Sequence, residues 1–227
     1  RWPFVGLLVL ELIVFLFGYL FIKELPAQVL IPIYYVCNTW YIASLYITMA
    51  LLVVEILRLS HKRHPWFPAW VRQHYAAVKL SLFAGITLGV TALMVHANWV
   101  VNNPVATHYS IHIPKKVAGR DSLTIVMMSD MHIGEMISNR LVRKYVALSN
   151  AQKPDLVVWV GDWLDYESLY AERAHVEEDL RALKAPLGVY AVNGNHEYRA
   201  TRFAKYRWLQ KTGATLLIDS VAQPDST

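Results

Sequence analysis

Three short clusters of carboxylate, imidazole and amide side chains recur at matching points in the second half of the chain. They are Asp130-Met131-His132, Gly161-Asp162-Trp163-Leu164-Asp165 and Gly194-Asn195-His196-Glu197. Carboxylate, imidazole and amide oxygen together make the ligand set of a hard-to-borderline divalent cation. Taken singly, each cluster has a plainer reading: Asp130 as a helix N-cap, Asp162 as a turn residue, and Gly194-Asn195 as turn chemistry. Three successive turns that all end in metal-ligand residue types favour the chemical reading. Glu197 fits structural support better than ligation.

Each cluster follows a run of β-forming apolar residues: Leu123 to Met128, Leu156 to Val160, and Val189 to Val192. The C-terminal ends of neighbouring parallel strands face one crevice, so groups far apart in sequence would converge there. From Leu123 onward the pattern is β-α-β-α-β-α-β. Helices are predicted over Ser138 to Gln152, Ser168 to Lys184 and Ala200 to Thr212, and a last strand over Thr215 to Ile218. Ser138 suits an N-cap, and Pro154 and Pro186 mark exits from helices. Such alternation predicts a largely parallel sheet with helices on its faces. Upstream, Val105 to Ile113 alternates weakly and ends at Pro114, like an edge strand. His108 and His112 share one side of it and read as surface residues, and His175 reads as part of a polar helix face. Phosphate-binding loops, dinucleotide fingerprints and nucleophile elbows are not found.

At the three clusters the chain resembles the calcineurin-like metallophosphoesterases, whose pattern runs D-x-H, G-D-x-x-D or N, G-N-H-E or D, a lone His, then G-H-x-H. The first three elements are present in order. No His follows His196, so the chain reads as a piece of a longer protein, holding the first half of the catalytic domain. The resemblance covers roughly Ser122 to Thr227. It implies a metallophosphoesterase-type αββα sandwich, here partial, and two divalent metal ions, for which Mn, Fe or Zn suits mixed oxygen and nitrogen ligands. It also implies roles. Asp130 and His132 would hold the first metal, Asp162 would bridge both, and Asn195 would hold the second. His196 would face the substrate as proton donor or phosphoryl-binding group, and Asp165 would hydrogen-bond His196 and fix its tautomer. Gly161 and Gly194 would permit tight strand-to-loop turns.

Composition divides the chain. Its 227 residues are 55% hydrophobic, too apolar for an ordinary soluble protein, and the excess lies almost wholly before residue 102. Three α-helical transmembrane segments are expected, at Phe4 to Ile22, Val29 to Leu59 and Leu80 to Val101; the first is about the 20 residues a bilayer needs, and the second is longer, with room to tilt or extend past the membrane. Aromatic residues cluster near their ends: Trp2, Tyr19, Trp66, Trp70 and Trp99. Gly85 and Gly89 form a weak packing motif. Glu11 is the most central ionisable group and is expected to pair with a polar group such as Asn38 or Thr48. The resulting organisation is 1–101 membrane domain, 102–120 linker and edge strand, and 121–227 the N-terminal part of the metallophosphoesterase domain.

The formal net charge is +5. Many of the basic residues lie between the second and third spans, from Arg58 to Lys79, where topology signals belong. The positive-inside rule therefore puts that loop in the cytoplasm and the catalytic domain on the extracytoplasmic side, with Lys115, Lys116 and Arg120 weighing mildly against. No basic stripe interleaved with aromatics stands out, and no nucleic-acid partner is expected. The expected partners are the lipid bilayer and a phosphate-ester substrate, lipid-linked given the anchor. The expected activity is a membrane-anchored, metal-dependent phosphoesterase. The alternative is a catalytically degenerate membrane protein with a binding or structural role. A transporter has thin support in one central acid.

Overall fold

The computed structural model describes residues 2–21, 25–114, 121–199 and 201–224. Ile22, Lys115, Lys116, Arg120, Ala200 and Thr227, used in the sequence arguments above, lie outside them, and the side chain of Trp2 is not described. The chain divides into two units, one built from 1–22 and 32–103 and the other from 23–31 and 104–227.

The first unit is helical: α1 (Trp2–Leu20), α2 (Ala27–Arg63) from residue 32 onward, α3 (Ala69–Gln73) and α4 (Tyr75–Asn102). The parts of α2 and α4 at Gln28–Arg63 and Tyr75–Asn102 are long and apolar enough to cross a membrane. At 1.5 Å per residue, the 28 residues of α4 span about 42 Å, more than the hydrocarbon core of a bilayer. A helix from the core of a soluble protein would have its apolar side chains covered. Here Val36, Leu52, Phe83 and Leu88 are 60–69% exposed, as lipid-facing residues are. These helices indicate membrane association. The apolar part of α1 with described side chains, Val9–Leu20, is by itself shorter than a span.

Polar groups on these helices are partnered locally. Arg58 donates twice to Glu55, at 2.6 and 2.8 Å, and the Asn98 amide donates to the Tyr35 hydroxyl, linking α4 to α2. Among the described residues no hydrogen bond joins Glu11 to Asn38 or Thr48. His61 organises the turn after α2: its Nδ1 accepts from the Trp66 and Phe67 amides, both at 2.8 Å, and its ring stacks on Phe67.

The second unit is the expected α/β layer. Strands β1 (Ile125–Met128), β2 (Leu156–Val160), β3 (Val189–Val192) and β4 (Thr215–Leu216) pair in chain order, all parallel. Helices α5 (Asn139–Ala151), α6 (Leu169–Arg173), α7 (Val176–Leu180) and α8 (Arg202–Thr212) connect them. Val142 and Val146 of α5, Ala171 of α6, Val176 and Leu180 of α7, and Trp208 and Leu209 of α8 form one core with Val157, Trp159 and Ala191 of the sheet. The register puts Ile125, Met127, Val160 and Val192 on the other side of the sheet, where they are 39–69% exposed. Among the described residues that face carries no covering layer.

Two sequence expectations are corrected. Ser168 to Lys184 is not one helix. His175 takes a left-handed conformation (φ 52°) and splits it into α6 and α7, so His175 caps a helix start rather than lying on a helix face. The acidic run Glu177, Glu178, Asp179 then occupies the first turn of α7, where the helix dipole favours it. Val105 to Ile113 is not a strand. Among the described residues it finds no neighbour to pair with, and Val105 and Ile111 are 83% and 82% exposed.

Candidate metal centre

The three predicted clusters do meet at the C-terminal edge of the sheet. Pairing continues past the strands. The amides of Asp130, His132 and Ile133 donate to the carbonyls of Gly161, Asp162 and Trp163 at 3.3, 3.0 and 3.1 Å, and the Asp165 amide returns to Ile133 at 3.1 Å. The first two loops are therefore zipped side by side. Asp130, His132 and Asp162 all have positive φ, at 54°, 43° and 51°, a region costing L-residues about 1 kcal/mol or more each. Strain at three site residues is the kind of local cost that surrounding structure holds in place for function.

The second and third loops touch through glycine. A Cβ on Gly161 would lie 2.7 Å from the Gly194 Cα, and one on Gly194 would lie 2.6 Å from the Asp162 amide nitrogen. No other residue fits either position. Glu197, fully buried, fastens the two loops. Its Oε2 accepts from the Asp162 and Gly194 amides at 2.8 and 2.7 Å, and its Oε1 from those of Trp163 and Leu164 at 3.1 and 3.4 Å. Glu197 thus gives structural support, as expected. Lys205 of α8 is also fully buried, and its Nζ donates to the His196 carbonyl at 2.6 Å. Burial pushes its pKa down, while the charges of Glu197, Asp165 and Glu167 oppose this. The sequence reading passed over Lys205. Its spacing from Trp208, Leu209 and Thr212 on α8, three, four and seven residues on, was the available signal of an inward position.

Against this frame the side chains converge. Asp130, His132 and Asp162 offer ligand atoms that lie within 4.8 Å of one another. His132 Nε2 is 3.8 Å from Asp130 Oδ1 and 3.9 Å from Asp162 Oδ2. Asp162 is 8% exposed, and its Oδ1 accepts from the His196 amide at 2.9 Å. Two carboxylates and an imidazole at this separation fit a divalent cation of the borderline kind. A second group, His132, Asp165 and His196, meets the same limit. Asp165 Oδ1 stands 3.6 Å from His132 Nδ1 and 3.5 Å from His196 Nδ1, and the two imidazoles meet edge to face at 4.5 Å. The closest contact of His196 Nδ1 is with the backbone carbonyl of Asp165, so this carbonyl, nearer than the carboxylate, can fix the tautomer. Asn195 is exposed in the same turn as His196.

One further acid flanks the site. Burial raises the pKa of Glu135, in the loop after β1, and the neighbouring charges of Asp165 and Glu167 raise it further. His108 and His112 are exposed and join no such cluster among the described residues.

Comparison with known proteins supplies the family. Residues 123–220 match the family model for calcineurin-like phosphoesterases. A transmembrane protein with metallophosphoesterase domain from Bos taurus is 34% identical over 95 residues, covering 42% of this chain and 21% of that protein. An uncharacterized metallophosphoesterase of Campylobacter jejuni is 28% identical over 198 residues, covering 81% of this chain and 50% of its own. That match is long enough to reach into the helical half. The UDP-2,3-diacylglucosamine pyrophosphatase LpxG of Chlamydia muridarum is 28% identical over 125 residues, covering 52% and 38%. The chain spans between about a fifth and a half of the length of these relatives. No solved structure matches it significantly. The α/β unit is, over residues 123–220, a calcineurin-like metallophosphoesterase domain.

Proposed function

We propose that this chain is the membrane-anchored first part of a two-metal phosphoesterase that hydrolyses a phosphate ester, lipid-linked in its natural substrate. The observation that carries the reading is the convergence of Asp130, His132 and Asp162 on one point at the strand ends. In this reading Asp130 and His132 hold one divalent ion, Asp162 is shared, and Asn195 serves the second ion, with Mn, Fe or Zn as the candidates. When bound, such ions neutralise phosphoryl oxygens and lower the pKa of water.

The protein's own residues do the rest. The Asp165 carbonyl accepts a hydrogen bond from His196 Nδ1–H, which leaves Nε2 to face the substrate. There it gives a proton to the departing alkoxide or binds a phosphoryl oxygen. Asp165 Oδ1 stands between both imidazoles, 3.6 Å from His132 Nδ1 and 3.5 Å from His196 Nδ1. Glu197 and Lys205 hold the Gly194–Glu197 turn from beneath.

The organisation is 1–101 membrane domain, 102–120 linker, and 121–227 catalytic. The cations Arg58, Lys62, Arg63, Arg72 and Lys79 on and between the two long helices favour an extracytoplasmic catalytic face. A lipid-linked substrate is supported by these helices and by the diacylglucosamine named for the relative LpxG. The competing reading, a degenerate binding module, draws on the second ion's short ligand list in this chain, Asp162 and Asn195.

The test is metal content of the detergent-purified protein by mass spectrometry, with Asp162→Asn beside it. Near two transition metals per chain, lost in the variant, is the expected result. Near zero in the wild type overturns a site made by these residues alone.

A further inference from the structure

Tyr198 to Lys211 contains Arg199, Arg202, Lys205, Arg207 and Lys211, four aromatic residues and no acid. This is a basic stripe interleaved with aromatics, which the sequence reading had not recognised. Folding sorts its members. Lys205 and Trp208 turn into the core at 0% exposure, while Tyr198 and Phe203 stand 60% and 66% exposed. The Arg202 guanidinium lies 5.0 Å over the Phe203 ring. Arg207 and Lys211 share a groove of about 450 Å³ with Glu167 and Glu172, so acids answer their charge. Arg199 and Arg202 are exposed and form no ion pair among the described residues.

Placement makes this a rim. Tyr198 and Arg199 directly follow Glu197, at the strand edge where the ligands converge. The same edge carries Tyr166 just after Asp165 and Met136 four residues after His132, 54% and 42% exposed. Each loop that contributes a ligand also contributes an exposed, large, apolar or aromatic side chain.

We propose that this rim docks on an anionic lipid surface. Tyr, Phe and Met offer apolar bodies to the boundary between headgroups and acyl chains, and Arg199 and Arg202 meet headgroup phosphates. An aromatic-basic rim also suits single-stranded nucleic acid. Lipid is the better occupant because the same chain carries helices long and apolar enough to cross a membrane, and because the Phe203 face that a base would stack on already holds Arg202. The inference rests on the membrane-anchored reading and not on the hydrolytic one.

The experiment uses the full chain with Cys37→Ser in nanodiscs. A single fluorophore-bearing cysteine is placed either at Thr201→Cys on the rim or at Lys184→Cys, at the start of the connection into β3 on the opposite edge. Lipids with a nitroxide near the headgroup should quench the Thr201 label and spare the Lys184 label when phosphatidylglycerol is present. Arg199→Gln with Arg202→Gln should reduce the docked population about 30-fold, and Tyr198→Ser with Phe203→Ser should reduce it while leaving the near-ultraviolet signal of the buried Trp163–Trp208 pair unchanged. Equal quenching at both positions, or none at Thr201, overturns the proposal. So does a Thr201 response to a single-stranded oligonucleotide alone, which would assign the rim to nucleic acid. No outcome depends on turnover.

Discussion

Replacing Glu197 by Gln is the sharpest probe of how the site is held. The side chain is fully buried and accepts four backbone N–H groups from two loops. A glutamine has one acceptor oxygen. Turned to keep the two short bonds, to Asp162 and Gly194 at 2.8 and 2.7 Å, it sets its own NH2 against the amides of Trp163 and Leu164. Two buried donors then lose their partner, at about 1–3 kcal/mol each, so the variant should be destabilised by about 2–6 kcal/mol. That is a large share of a domain's usual 5–15 kcal/mol. Urea unfolding in detergent, followed by the fluorescence of Trp163 and Trp208, measures it directly. Both rings are fully buried and they stack 15° from parallel. Metal affinity should fall in parallel, because Asp162 is held through its own amide. A variant within 0.5 kcal/mol of the wild type would refute the argument that this carboxylate fastens the second loop to the third.

Two further outcomes follow from the same geometry. Gly194→Ala drives a methyl group against the Asp162 backbone, so it should abolish metal uptake and cost several kcal/mol, as overpacking does; equilibrium dialysis with Mn alongside unfolding checks both. Glu135→Gln should stabilise the protein at neutral pH. Its raised pKa means the folded state resists ionising this acid, so wild-type stability falls as pH rises from the ordinary glutamate value, about 4.3, up through the raised one. Wild type and variant should match near about pH 4 and diverge above it; a gap of the same size at both ends would show that charge is not the cause.

Much of this was legible because strand patterning and ligand chemistry are both local. Leu156 to Val160 and Val189 to Val192 form strands at their predicted residues, and the parallel rule alone brings Asp130, Asp162 and His196 to one edge. What escaped depended on contacts distant in sequence. The turn at His175 has no glycine or proline to announce it. Val105 to Ile113 had a strand's alternation but no partner strand. Lys205 reads as a solvated cation until the Gly194–Glu197 turn is laid beneath it. The group nearest His196 Nδ1 is the Asp165 carbonyl, which every residue has and no motif records.

The uncovered side of the sheet bears on how the protein is made. The strands pair in the order in which they leave the ribosome, each with a neighbour about 30 residues earlier. The order lets this half assemble strand by strand, but each parallel crossover must close its loop before its contacts form, which makes such sheets slow and exposed while they fold. A parallel sheet is ordinarily covered on both faces. While Met127, Val160 and Val192 face water, the folding chain presents an apolar stripe open to non-native association. For as long as that stripe stays uncovered, misassociation competes with maturation.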